Sequence, residues 1–140
     1  MSNRLSVEAL FQSTEIKNAV QKNFLEFFGK MFDGVEEISS ALREKTEGRK
    51  DYFNARNEVG GGLTLLENQL KDCFAISERY GLTSRNNEIK DKVVALEAYI
   101  QVQRPTLFKC QSVEEEIIKH FCELIESIAR AVVEEYDKNA

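Results

Sequence analysis

The chain has a single proline, a single histidine and no tryptophan, and its longest stretch without a charged side chain, residues 59–66, is only eight residues long. Each shortage excludes something. A bilayer-crossing helix needs about 20 consecutive apolar residues, so no membrane span is expected. Met1–Leu5 leads into no apolar run, so no secretory leader is expected either. One imidazole, His120, rules out sites that need two, including the paired Glu-x-x-His motifs of helical di-metal proteins. Glu116 and Glu123 lie on adjacent turns of one helix face with His120 and could hold a divalent ion weakly, but the expected reading is an exposed histidine stabilised by neighbouring carboxylates, and no metal is assigned. The three cysteines, Cys73, Cys110 and Cys122, are odd in number and contain no Cys-x-x-Cys pair, which points to reduced thiols, a cytoplasmic location and a packing role.

Catalytic patterns are missing in the same way. There is no Gly-x-Ser-x-Gly turn. Cys122 lies two residues from His120, about 200° away around a helix, so the two cannot form a nucleophile–base pair within it. Adjacent carboxylates such as Glu36-Glu37 and Glu134-Glu135 diverge by about 100° and make poor acid–base dyads. No catalytic residue, metal ligand set or cofactor is therefore assigned, and a non-enzymatic role is expected.

The charges are 19 basic against 24 acidic, a net −5. Residues 106–140 alone hold four basic and eight acidic side chains, or −4. Such a surface repels phosphate backbones, so nucleic acid is disfavoured, whereas a partner protein with a basic surface would suit it.

What is present is helical periodicity. Scarce proline leaves helix interiors without their strongest breaker. The apolar spacing predicts an all-α, up-and-down bundle of four to five helices in a single domain spanning 1–140, with helices near 6–31, 34–46, 63–80, 86–103 and 112–137 and an irregular stretch at 48–62. Phe24, Phe27, Phe28 and Phe32 are expected in the core. Asp33 with Glu36, Thr64 with Glu67 and Ser112 with Glu115 have the spacing of reciprocal N-caps. Gly48 and Gly81 mark helix ends, and Pro105 is expected to close the fourth helix, whose seam is Ile89, Val93, Leu96 and Ile100.

Two regions carry functional expectations. In the fifth helix the apolar side chains from Val113 to Tyr136 fill an arc of about 200°, twice what the edge of a small bundle needs. That helix is either central or an interface. The interface candidates are Ile118, Cys122, Ile125, Ala129, Val133 and Tyr136, serving a partner protein or a second copy in a homodimer. The leading expectation is thus a cytoplasmic helical interaction or adaptor protein.

The alternative is a regulator that binds a phosphate or nucleotide at Gly48–Gly62. There, three consecutive glycines before Thr64 would free the amides of a helix start, with Arg49, Lys50 and Arg56 supplying charge and Gly61, Gly62 and Thr64 the backbone cradle. A heptad rhythm through Tyr52, Arg56, Val59 and Leu63 would instead continue the third helix backward, against a cost of about 0.8–1.0 kcal/mol per interior glycine. A break at Gly60–Gly62 is therefore expected, with Tyr52 and Phe53 anchoring the stretch before it.

Overall fold

A computed structural model describes residues 2–14, 16, 18–83 and 88–139. Among these residues the regular structure is all helix, with no strand: α1 (Ser2–Gln12), α2 (Asn18–Thr46), α3 (Tyr52–Arg79), α4 (Glu88–Lys109) and α5 (Glu115–Asn139). Consecutive helices pack against each other, and α5 closes the bundle by packing on α1 and α2 as well as on α4. This is the expected up-and-down architecture, with one continuous core from Val7 to Val133.

The first expected helix is two. The chain leaves α1 at Ser13-Thr14, where the Thr14 hydroxyl accepts the Ile16 amide at 2.9 Å, and the Gln21 side-chain amide donates to the Phe11 carbonyl near the end of α1. The turn folds Phe11 back onto Phe24 and Phe28, with ring centroids 5.9 and 5.8 Å away. A straight helix would have kept these rings apart, so aromatic burial decides for the turn. Phe24, Phe28 and Phe32 are fully buried, as the spacing predicts, and Phe27 is half-buried.

No boundary exists at residue 33. The apolar period runs unbroken through Phe28, Met31, Phe32, Val35 and Ile38, all buried, so α2 continues. Asp33 and Glu36 do not cap a helix; both face Arg4 of α1, at 2.7 and 3.5 Å.

The break expected at Gly60–Gly62 is also absent. Asp51 caps α3, its carboxylate accepting the Asn54 amide at 2.8 Å. The helix then runs through all three glycines, burying Ala55, Val59, Gly62, Leu63, Leu66, Leu70, Cys73 and Ser77 on one face. Thr64 and Glu67 are therefore mid-helix, and Glu67 pairs with Arg104 of α4 at 2.6 Å. The heptad continuation prevails because α2 and α3 pack along their length, which offsets the propensity lost at the glycines.

Both glycine stops hold. Gly48 (φ 77°) and Gly81 (φ 74°) are left-handed, and the amides of Arg49 and Leu82 reach back to the carbonyls of Glu44 and Ser77 in the six-to-one pattern of a helix end.

Pro105 does not end α4, which runs to Lys109. The last turn is held from outside. Leu107 and Cys110 are buried, the Phe108 ring lies 4.8 Å from the Arg56 guanidinium, and the Tyr52 hydroxyl donates to the Phe108 carbonyl at 3.2 Å. Tyr52 thus anchors its segment as expected, whereas Phe53 is 76% exposed and does not. At the next junction α5 starts at Glu115 rather than Ser112. The Ile118 amide donates to the Glu114 carbonyl at 3.1 Å, and the Ser112 hydroxyl turns to the Glu114 carboxylate at 2.5 Å.

A candidate docking groove between α2 and α5

The broad apolar arc of α5 is explained by its position. Helices α1, α2 and α4 pack on it, and α1, folded back after Ser13-Thr14, supplies a cover that a single helix over 6–31 would lack. Of the six residues proposed as an interface, Cys122, Ile125, Ala129 and Val133 are buried within the chain itself, while Ile118 and Tyr136 are half-buried. The strip as a whole is core; its α2-facing edge remains reachable.

That edge forms a groove. Two adjoining hollows of about 300 and 220 Å³ lie between α2 and α5 and share Ser39, Arg43 and Ile118 in their walls. Val35 and Cys122, both buried, and the half-buried Ile118 give an apolar floor. These residues fall at the groove because Val35, Ser39 and Arg43 follow one another at steps of four on α2, as Ile118 and Cys122 do on α5. Arg43 and Lys119 stand exposed at the rim, and neither forms an ion pair among the described residues. On the same rim Glu36 is occupied by Arg4. Burial pushes the Cys122 thiol above its ordinary range, with Glu36 adding to the rise, so in the groove it is a neutral apolar contact rather than a nucleophile.

The residues proposed for anion binding are dispersed. Arg49 pairs with Glu47 at 3.0 Å. Lys50 is held between Glu58 and Glu44, which raises its pKa and lowers that of Glu44. Arg56 packs over Phe108 and donates to the Tyr52 hydroxyl at 3.1 Å. Gly61 is exposed beside the Glu37 carboxylate, Gly62 is buried against α2 and Thr64 faces solvent mid-helix. Because α3 begins at Tyr52, the amides of residues 60–64 lie in the helix interior, where each donates back along the helix; no free helix start points at an anion there.

The remaining candidates for chemistry are quiet. His120 is exposed and meets the edge of the Tyr99 ring, with centroids 4.5 Å apart. Among the described residues no three His, Cys, Asp or Glu side chains converge as metal ligands. Cys73, Cys110 and Cys122 are all free and buried. Burial drives the Cys73 thiol to about 12. Among the described residues no helix is long and apolar enough to cross a membrane.

The groove was only half legible in the sequence. Ile118 and Cys122 stood out by apolarity, but Ser39 and Arg43 sit on a helix that periodicity treats as ordinary solvent face. Comparison of the chain with protein-family profiles, with curated proteins and with solved structures finds no match.

Proposed function

We propose that this protein is a non-enzymatic, cytoplasmic helical adaptor that receives a short segment of a partner protein in the α2–α5 groove. The observation that carries this reading is the groove's composition: an apolar floor of Val35, Ile118 and Cys122 beneath a rim where Arg43 and Lys119 form no ion pair among the described residues and outnumber the one carboxylate left unpaired beside them, Glu115, Glu36 being held by Arg4. A hollow of this size holds one or two apolar side chains, and a carboxylate on the same segment would meet the cations at the rim. The segment is therefore apolar and acidic at this contact, which differs from a partner chosen for the acidic charge of residues 106–140. Three buried, unpaired thiols suit a reducing compartment. They also leave no accessible nucleophile among the cysteines, which supports docking over catalysis.

The test is selection of random twelve-residue peptides displayed on phage against the full chain, with counter-selection against Ile118→Asp. Enriched peptides should pair an aliphatic or aromatic residue with Asp or Glu. Synthetic versions should perturb the amide resonances of residues 39–43 and 118–122. Arg43→Glu should weaken them at least tenfold while circular dichroism stays unchanged. Absence of enrichment, or perturbations elsewhere on the bundle, overturns the reading.

A further inference from the structure

The surplus apolar surface lies on α4. Its inward face buries Ile89, Val93, Leu96, Ile100 and Leu107. The opposite face is also apolar yet uncovered: Val94 is 52% and Val102 69% exposed, with Ala95, Ala98 and Pro105 exposed beside them. Along this face Asp91, Ala95, Ala98, Val102, Pro105 and Lys109 follow one another at steps of four, three, four, three and four, the rhythm of a helix–helix seam. Asp91 and Lys109 are both exposed and form no ion pair among the described residues.

The seam is its own reverse about residue 100. Laid antiparallel on a copy of itself, it places Asp91 opposite Lys109, Ala95 opposite Pro105 and Ala98 opposite Val102. A small side chain then faces a larger one in each inner layer, and opposite charges meet at both ends, about five turns or about 27 Å apart. A parallel pairing would instead set Asp91 against Asp91 and Lys109 against Lys109. Self-complementarity of this kind is what a two-fold interface requires, since each contact must occur twice with the roles exchanged.

We propose that a second copy of this chain covers the outer face of α4, forming a two-fold antiparallel α4–α4 dimer clamped at its ends by Asp91–Lys109 pairs. The surface is separate from the α2–α5 groove, so either reading can fail alone. Sedimentation equilibrium of the full chain should show a concentration-dependent dimer. Val102→Glu should leave helicity unchanged and the protein monomeric. Asp91→Lys and Lys109→Asp should each raise the dimer dissociation constant at least tenfold, and the combined variant should return it to within threefold of the parent. A monomer at millimolar concentration, a dimer indifferent to Val102→Glu, or a combined variant as weak as the single ones overturns the proposal.

Discussion

Gly34 of α2 and Gly62 of α3 occupy each other's missing side-chain space: a Cβ on Gly34 would lie 2.7 Å from the Gly62 carbonyl oxygen, and a Cβ on Gly62 would lie 2.6 Å from that of Gly34. The two backbones touch, and the α2–α3 hairpin, the most extensive helix pair in the molecule, is built around this crossing. Close backbone approach admits Cα–H donation to carbonyls and brings Ile38 against Gly62.

The three adjacent glycines of α3 should therefore respond in opposite senses to alanine. At Gly62 the new methyl meets backbone and the Ile38 side chain, and the expected loss is about 1–3 kcal/mol from overpacking. At Gly60 it makes ordinary contact with the Phe108 ring at 3.6 Å, so Gly60→Ala should gain about 0.8–1.0 kcal/mol from helix propensity. Gly61→Ala should also gain, because among the described residues the new methyl meets only the end of the exposed, movable Glu37 side chain. Urea denaturation of the three variants checks the order. Gly34→Ala combined with Gly62→Ala should cost less than the sum of the two, since one separation of the helices relieves both clashes.

The last turn of α4 is held by Phe108 rather than by its own propensity. Pro105 leaves the Gln101 carbonyl without the helical amide it would otherwise accept. Phe108→Ala should remove the ring from Arg56 and Gly60 and free residues 106–110 to open locally. Amide exchange in that turn should accelerate while the rest of α4 stays protected. Adding Pro105→Ala should slow it again.

Alkali should destabilise the fold through Cys73. The unfolded thiol ionises near pH 8.5–9, whereas burial holds the folded one to about 12. Over that interval the folded state keeps a proton that the unfolded state has lost, so stability is complete below about pH 8.5 and falls as pH rises, by at most about 1.4 kcal/mol per unit. Cys73→Ala should be less stable at neutral pH because it leaves a small void, and should lack this share of the alkaline slope. Denaturant midpoints from pH 7 to 10.5 test both statements.

Glu114 adopts φ 56°, in the left-handed region, at the entry to α5. An L-residue there costs about 1–2 kcal/mol, part of which glycine recovers after allowing for its looser unfolded chain. Glu114→Gly should raise stability by about 0.5–1 kcal/mol despite losing an exposed contact to Ser112, an outcome readable in a thermal melt.

Fold class was legible because it depends on local spacing. The fourth-helix seam Ile89, Val93, Leu96 and Ile100 is buried as read, and the left-handed stops at Gly48 and Gly81 fall where glycine alone predicts them. Two of the misplaced boundaries share one cause. Asp33-x-x-Glu36 and Thr64-x-x-Glu67 are sound cap spacings, yet a cap contributes only about 1 kcal/mol and yields to a long apolar face with a partner in place. The same reasoning explains the site. Four of the six proposed α5 interface residues became core because α1, α2 and α4 all pack on α5, a placement that no property of α5 encodes.

From the residues alone came what neighbours along the chain dictate: helical rather than extended backbone, no membrane-crossing helix among the described residues, and thiols that are buried and unpaired. Tertiary structure decided the rest. Whether three glycines break a helix or let another backbone touch it, whether an aspartate caps or pairs with Arg4, and which greasy face stays uncovered all turn on distant segments. Packing energies between such segments exceed local preferences of a fraction to about one kcal/mol per residue, so the outcome is fixed only once the whole bundle is assembled.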